Sequence, residues 1–257
     1  MGRIHLFEFE DQSWFPSFIR DYMTDFLQFL SNLAKIYKPV SGLLAEKILA
    51  SGQHQIIDLA SGGGGGLLWL NSELRQQIPD LRITLTDYYP NIAAFKSTAA
   101  KADNIDFERQ PVDALHVPGH LTGFRTQFLS FHHFRPDEAR AILQNAVDAK
   151  SPIGIFETQG RSVVSIVAML LSPISVLLTT PFIRPFKIGR IVFTYLIPMV
   201  PLCIMWDGVA SSLRTYSLKE MNELVAGLQN KDDYQWTIGK EKNVLYLIGL
   251  PAKSPMF

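Results

Sequence analysis

The first fifty residues carry an amphipathic helical pattern. Between residues 14 and 37, apolar side chains recur at spacings of three and four, which places them on one face of a helix. Pro39 ends this helix, and a second short helix is predicted at residues 40–50, stopping at Gly52. Because both helices precede the first predicted strand, we expect residues 1–52 to form a helical cap segment.

From residue 55 onward, short apolar runs alternate with helical patterns. The pattern predicts strands at 56–59, 81–86, 105–109, 126–131 and 153–157, and helices at 67–77, 92–101 and 136–149. Strands separated by helices of this length form a parallel sheet with helices on both faces. Two β-rich runs joined by a few charged residues follow near the end of the chain, at 234–240 and 243–250, and they predict an antiparallel hairpin at the edge of the sheet.

The most apolar part of the chain lies between the fifth strand and a helix predicted near residue 217. Residues 162–180 and 191–206 carry no charge, and the connector between them holds three basic residues, Arg184, Lys187 and Arg190. A membrane-spanning hairpin is disfavoured, because the runs contain prolines and the basic connector would have to cross the bilayer. We expect a folded lid, while a dimer interface, extra core and docking onto a membrane surface remain open alternatives.

Composition narrows the functional classes. The chain has 257 residues, 24 basic against 24 acidic side chains and 47% hydrophobic residues. Zero net charge gives no electrostatic case for a nucleic-acid partner. The single cysteine, Cys203, excludes an internal disulfide framework, and the acidic N-terminal residues do not resemble a signal peptide, so a cytoplasmic protein is expected, either free or peripheral at a membrane surface. The length suits one α/β domain.

A glycine cluster follows the first strand and opens a helix. Asp58 ends the strand, and five glycines occupy 62–66. A phosphate-binding P-loop would need a lysine at the end of the cluster, where Leu67 and Leu68 stand instead. The same leucines occupy the place of the third glycine of a dinucleotide fingerprint, in either register. What remains is an acid followed by small residues and spaced glycines.

With this motif the chain resembles the class I S-adenosylmethionine-dependent methyltransferases. The family motif is apolar-apolar-acid-x-Gly-x-Gly-x-Gly, and Ala60 replaces its first glycine. Further motifs follow in the family's order, and the resemblance covers residues 55–157 and 234–250. It implies a three-layer Rossmann-like methyltransferase sheet, mostly parallel, with a C-terminal antiparallel hairpin. The cofactor-binding residues that the resemblance implies are Asp58, Ala60, Ser61, Gly62, Gly64, Asp87, Tyr88, Asp113, Ala114, Ser130 and Phe131.

The resemblance also implies a role for several of these residues. The carboxylate of Asp87, after the second strand, would accept both ribose hydroxyls of S-adenosylmethionine. Asp113 would take the adenine amino group, with a backbone donor from Ala114. Ser130 and Phe131, after the fourth strand, would lie near the reacting end. From the residues alone, a purely structural role stays open for both acids: Asp87 could cap the next helix, and Asp113 could belong to an ordinary turn.

His132 and His133 close the fourth predicted strand and are the candidate catalytic residues. A histidine there could take a proton from an acceptor as the methyl group moves. Strand alternation would point the two side chains to opposite sides, so one at most should face the pocket. Adjacent histidines with no further acid at a suitable spacing do not predict a metal site. Farther along, Asp207 and Arg214 are expected to form a structural ion pair rather than a clamp for the substrate.

The sequence therefore predicts an S-adenosylmethionine-dependent methyltransferase acting on an oxygen or nitrogen of a small, hydrophobic acceptor. Two other hypotheses stay open. The protein could be an NAD(P)-dependent oxidoreductase, or it could keep the fold without catalysis and bind only a membrane or a partner, including a second copy of itself. In the methyltransferase reading, residues 53–160 form the cofactor-binding core and 161–216 an apolar helical lid. Residues 217–257 complete the core with a helix and the hairpin.

Overall fold

One seven-stranded sheet forms the centre of the computed structural model. The structure describes residues 2–64 and 66–252. Predictions that involve Met1, Gly65 or residues 253–257 lie outside the described residues. The strands are β1 (Gln55–Asp58), β2 (Arg82–Leu85), β3 (Ile105–Phe107), β4 (Phe124–Phe128), β5 (Ile153–Glu157), β6 (Tyr234–Glu241) and β7 (Val244–Pro251). The helices are α1 (Ser17–Ala34), α2 (Ser41–Ser51), α3 (Leu67–Leu74), α4 (Ile92–Ala99), α5 (Pro136–Asp148), α6 (Val163–Leu170), α7 (Ser172–Thr179), α8 (Ile188–Ile191), α9 (Met199–Arg214) and α10 (Leu218–Ala226).

The strand order is β3-β2-β1-β4-β5-β7-β6. The first five strands are parallel, whereas β7 runs antiparallel to both β5 and β6. This confirms the expected mostly parallel sheet with a C-terminal antiparallel hairpin. The order differs from the 3-2-1-4-5-6 sheet of dinucleotide-binding enzymes, because the last strand of the chain is inserted beside β5.

The fourth strand is shorter than the sequence pattern predicts. It ends at Phe128, and Phe131–His133 form a 3-10 turn instead of a continued strand. Leu129 lies between them with a φ of 52°, in the left-handed region, which breaks the extended backbone.

Two apolar cores cover the two faces of the sheet, as strand alternation requires. Ile57 and Ile155 pack into the core beneath α5 and α10, whereas Ile56 and Phe156 pack into the opposite core with α2 and α3. Because β1, β5 and β7 contribute side chains to both cores, the sheet is packed on both faces and is a fixed platform for the loops at the carboxyl ends of its strands.

A third core joins the N-terminal helix to the apolar segment. Phe26 of α1 packs with Val176 of α7 and Ile204 of α9. A buried ion pair adds to this contact: Asp25 accepts from Arg190 at 2.5 Å and from Lys187 at 2.7 Å. Arg190 is only 1% exposed. Two of the three basic connector residues are therefore tied to α1.

The apolar segment is folded onto the domain as separate short helices. Both α6 and α7 pack against α9, and a π-helical turn at Val192–Leu196 separates α8 from α9. In the described part of the chain, no helix by itself has the length and apolarity to cross a membrane. Two bent helix pairs reach both criteria when combined, one of them spanning α6 and α7 with a bend of 41°.

Residues 2–14, which we call the strap, run without regular secondary structure along α9. The strap is held through its own backbone: Ile4 N donates to Leu213 O at 3.1 Å, and Phe7 O accepts from the Trp206 side chain, Nε1, at 3.0 Å. Asp207 accepts from the strap's backbone N–H groups, and Arg214 pairs with its acids. The expected Asp207–Arg214 ion pair is therefore wrong, because the strap supplies partners for both side chains.

Candidate active site

The glycine turn between β1 and α3 uses left-handed backbone conformations. Ala60, Gly62 and Gly64 have φ values of 54°, 56° and 89°. A Cβ on Gly64 would lie 3.0 Å from Thr98 Oγ1, so this glycine is required by both space and conformation. Ala60 adopts the left-handed region although it has a Cβ, which carries a modest strain of about 1–2 kcal/mol.

Asp58 and Ser61 stabilise this turn from beneath. Asp58 Oδ1 accepts from the Thr126 hydroxyl at 2.7 Å, and Oδ2 accepts from the Ser61 hydroxyl at 2.6 Å. Asp58 is 2% exposed, and burial raises its pKa to about 7 despite both hydrogen bonds. The two side chains are thus bonded to each other and to β4, and direct contact between either of them and a cofactor stays a prediction.

The carboxylate of Asp87 lies beside the glycine turn, and its contact with a ribose stays a prediction. Its Oδ2 accepts from the Gly62 N–H at 2.7 Å and its Oδ1 from the Tyr89 N–H at 2.8 Å. Burial raises the pKa of Asp87, while these two N–H groups oppose the rise. The Tyr88 ring, next to this carboxylate in sequence, is exposed and packs edge-on against the Tyr89 ring.

The loop after β3 is tied to the same place by its backbone. Val112 N donates to Asp87 O at 2.9 Å. Asp113 uses its own carboxylate locally: Oδ1 accepts from Leu115 N at 2.9 Å, and Oδ2 lies 3.1 Å from His116 Nδ1. Ala114 is buried in the core. The side chain of Asp113 therefore supports a turn, and its contact with an adenine group remains a prediction.

Ser130 and Phe131 differ in what they offer to a ligand. The Ser130 hydroxyl is buried and has no hydrogen-bond partner in the described part of the chain, which leaves it available. The Phe131 ring is fully buried and packs against Tyr216, with ring centroids 5.4 Å apart, so only its backbone can face a ligand.

Both candidate histidines line one cavity of about 410 Å³. Their rings lie side by side with centroids 4.4 Å apart. The expectation that His132 and His133 point to opposite sides is wrong, because they belong to a 3-10 turn in which strand alternation does not apply.

His132 is held by a buried carboxylate. Its Nδ1 donates to Glu157 Oε2 at 2.8 Å, and its backbone N–H donates to Glu157 Oε1 at 3.1 Å. His132 is 2% exposed and Glu157 is fully buried. A donor Nδ1–H fits this contact, and that tautomer leaves Nε2 of His132, which lies 3.9 Å from Glu8 Oε1, as the nitrogen that can take a proton.

His133 is in a different electrostatic environment. Its Nδ1 lies 2.7 Å from Asp11 Oδ1 and 3.4 Å from Glu8 Oε2. Burial lowers the pKa of His133, but Glu8 and Asp11 outweigh it and raise this pKa to about 10. Burial likewise raises the pKa of Asp11, yet His133 and Arg214 bring it below its ordinary value. These contacts favour the protonated form of His133, which holds no lone pair with which to take a proton, and its catalytic role stays a prediction.

Arg214 completes a network around these acids. Its Nη1 lies 3.0 Å from Glu8 Oε1 and 2.7 Å from Asp11 Oδ2. Glu8, His132 and His133 bring potential ligand atoms within 4.8 Å of one another, so the strap supplies the third group that the sequence pattern lacked for a metal site. In the described residues, Glu8 and Asp11 are both engaged by His133 and Arg214 in an ion-pair network.

The rest of the cavity wall is largely apolar and comes from α1, α6, α7 and α9. Two further acids border it: burial and the neighbouring Asp207 raise the pKa of Glu10, and burial raises that of Asp207. The acids Glu8, Glu10 and Asp11 were absent from the predicted site. Their signal in the sequence is the alternation of aromatic and acidic residues at 7–11.

The residues present fit the sulfonium nucleoside cofactor that the resemblance implies. An added Cβ on Gly62 would meet only a methyl group of Thr24, at 3.8 Å, so the turn leaves space for a ligand. The Asp87 carboxylate lies next to that space, and the unpartnered Ser130 hydroxyl lies at the end of β4. These groups surround the carboxyl ends of β1, β2 and β4, where ligands of open α/β sheets bind.

No protein-family model matches the sequence, and no curated protein sequence matches it. Solved structures do match the fold. An O-methyltransferase family protein from Burkholderia thailandensis aligns with a TM-score of 0.51 and 14% identity, over 87% of this chain and 58% of that one. PigF, solved with SAH, aligns with a TM-score of 0.51 and 16% identity, over 93% of this chain and 63% of its own.

The plantazolicin methyltransferase BpumL, in complex with SAH, aligns with a TM-score of 0.53 and 14% identity, over 92% of this chain and 88% of that one. The chain spans less than two thirds of the length of the Burkholderia protein and of PigF. These similarities, together with the strand order, establish that the chain has the class I S-adenosylmethionine-dependent methyltransferase fold.

Proposed function

We propose that this protein transfers a methyl group from S-adenosylmethionine to an oxygen or nitrogen of a small, apolar acceptor. The observation that carries the proposal is a carboxylate-held histidine, His132, lining a mostly apolar cavity next to the end of β4, close in sequence to the unpartnered Ser130. Two of the structures with this fold, PigF and BpumL, are complexes with SAH, which supports the choice of cofactor.

The cofactor is assigned to the glycine turn and the loops beside it. The Asp87 carboxylate would accept the ribose hydroxyls, and the backbone around Gly62 and Gly64 would follow the nucleoside closely. Asp113 and Ala114 would border the adenine, and Ser130 the amino-acid end. When bound, S-adenosylmethionine supplies an electrophilic methyl group on a positively charged sulfur.

His132 is assigned as the general base. Glu157 holds its Nδ1–H, so Nε2 can accept the proton of a hydroxyl or amine in the cavity, and the same carboxylate stabilises the imidazolium that results. His133 is charged by Glu8 and Asp11 and is assigned to positioning rather than to proton transfer. The apolar wall excludes water from the acceptor.

The cap belongs to the same proposal. Of residues 1–52, the strap and α1 would join residues 161–216 in a lid over the core of residues 53–160, whereas α2 packs onto the sheet with α3. Residues 217–257 would complete the sheet. The apolar core of the lid supports this division, because α1 packs against α7 and α9 rather than lying on the sheet alone.

Calorimetric titration with S-adenosylhomocysteine tests the proposal. We expect micromolar binding to the intact protein and loss of most of that binding in Asp87→Ala, which removes the ribose acceptor. Asp80→Ala is the matched control, because Asp80 is a surface acid paired with His54 outside the site. The affinity of this variant for S-adenosylhomocysteine should equal that of the unmodified protein. No binding to the intact protein, or equal loss in both variants, would refute the assignment. A parallel titration with NADH tests the oxidoreductase reading, which the inserted β7 disfavours.

A further inference from the structure

The lid helix α6 presents its apolar side to the outside. Val163, Val164, Val167 and Leu170 are all exposed, Val164 by 79%, and their spacing places them on one side of the helix. Ser165, on the inner side, lines the cavity instead. No residue of α6 is buried. A helix that covers a cavity in water has the opposite polarity.

The next helix repeats this arrangement. Ile174 and Leu178 of α7 are exposed, whereas Ser172 and Ser175 line the cavity. Eleven large apolar side chains between residues 163 and 188 are exposed in total. A monomer that remains in water seldom exposes so many neighbouring apolar groups, so this surface is expected to have an apolar partner.

The segment that forms this surface contains basic residues and no acidic ones. Residues 158–206 contain no Asp or Glu and four basic residues. Arg161 pairs with Glu220, and Arg190 and Lys187 pair with Asp25. Arg184 contacts only backbone carbonyl groups within the described residues.

Aromatic side chains flank this arginine. Phe182 and Phe186 are exposed on either side of Arg184, and Ile188 follows. Exposed aromatic and aliphatic groups interleaved with basic residues are the composition of segments that lie in the interface of an anionic bilayer.

We propose that the outer face of α6 and α7, together with residues 182–188, docks onto the surface of an anionic lipid bilayer. Charge favours lipid over a second copy of the chain: self-association through this face would bring together the Arg184 of each copy, which has no acidic partner in the described residues, whereas anionic headgroups supply the opposite charge. The bent α6–α7 pair has the apolarity of a membrane segment, but its bend suits shallow insertion.

The cavity reaches the same face. Leu27, Ala168 and Leu171 line it and are also exposed at the surface. A docked protein would therefore present the cavity to the bilayer, and, resting on the proposed function, an apolar acceptor dissolved in the membrane would enter without crossing water.

Vesicle flotation with the purified full-length protein tests the docking, without cofactor or acceptor. Vesicles of phosphatidylcholine with phosphatidylglycerol are compared with phosphatidylcholine alone, and we expect stronger binding to the anionic vesicles. The double variant Val164→Glu, Leu178→Glu should lower the partition coefficient at least about tenfold, because each change removes an inserted aliphatic group. Arg184→Gln should lower it about fivefold, on anionic vesicles only, since one basic residue at such a surface contributes about 1 kcal/mol.

The matched control is Leu49→Glu. Leu49 is an exposed leucine of α2, a helix that packs against α3 and β7. This variant should bind vesicles as strongly as the unmodified protein. Thermal unfolding verifies that each variant folds. Absence of binding, or equal binding by all variants, would overturn the proposal. A third outcome would also overturn it: light scattering shows that the unmodified protein is a dimer and the double variant a monomer, and neither binds vesicles. A second copy of the chain would then cover the face. Because no cofactor is present, failure here is distinct from failure of the methyltransferase proposal.

Discussion

The charged state of His133 makes the stability of the protein dependent on pH in the alkaline range. His133 contacts Glu8 and Asp11 of the strap, and its pKa rises from the ordinary value of 6.5 to about 10 in the folded chain. The folded chain therefore keeps a proton that the unfolded chain releases above about pH 6.5. This contribution is fully present below pH 6.5 and is lost as the pH rises to about 10.

The magnitude follows from the difference in proton binding. One proton more in the folded chain changes the free energy of unfolding by about 1.4 kcal/mol per pH unit. Between about pH 7 and pH 10 the loss is then on the order of 2–4 kcal/mol, the lower figure applying if the strap relaxes when the charge disappears. This is a large fraction of the stability of a typical domain.

Urea unfolding followed by circular dichroism at intervals across this pH range measures the effect. The comparison is with His133→Gln, which keeps a donor for Asp11 but cannot titrate. We expect the free energy of unfolding of the unmodified protein to fall more steeply with pH than that of the variant, by close to one proton between pH 8 and pH 10. Parallel pH profiles for the two proteins would refute the assignment of this proton to His133.

Three further predictions follow from contacts described above. Asp25→Asn leaves the buried Arg190 without its charge partner and should lower the free energy of unfolding by about 3–5 kcal/mol in urea denaturation; a loss under 1 kcal/mol would contradict the buried pair. Gly64→Ala forces a Cβ against Thr98 at a left-handed φ and should cost about 1–3 kcal/mol of stability and weaken S-adenosylhomocysteine binding, both measurable by thermal shift. Glu157→Gln should lower kcat about 100-fold or more for an acceptor found by screening, with cofactor affinity unchanged. A kcat equal to that of the unmodified protein would refute the assignment of His132 as the general base.

The sheet could be predicted from the sequence because its signals are local. Short apolar runs mark each strand, and the cluster at 62–66 marks the turn after β1, so the fold class needed no long-range information. Asp87 was also predictable, because the carboxyl ends of neighbouring parallel strands must share one edge of the sheet.

The ionic part of the site could not be predicted in the same way. Asp11 contacts His133 across 122 positions of the chain and Arg214 across 203, and no periodicity encodes contacts of this kind. The orientation of the two histidines depended on Leu129, whose left-handed φ ends the strand early and is not marked by a glycine. Both the ionic contacts of the strap and the orientation of the two histidines therefore depend on tertiary structure, which the local sequence pattern does not specify.

The strap also constrains the order in which the chain can assemble. The contact between Asp11 and Arg214 joins residues separated by 203 positions, and Ile4 reaches Leu213. Contacts this distant in sequence are slow to form, since a long loop must close before they contribute any stability. During synthesis, the glycine turn and β1 to β5 can therefore pair before the end of α9 has been made. The ionic wall of the cavity can form only after these strands, so an early folding species would have its cofactor edge in place and its acceptor side open.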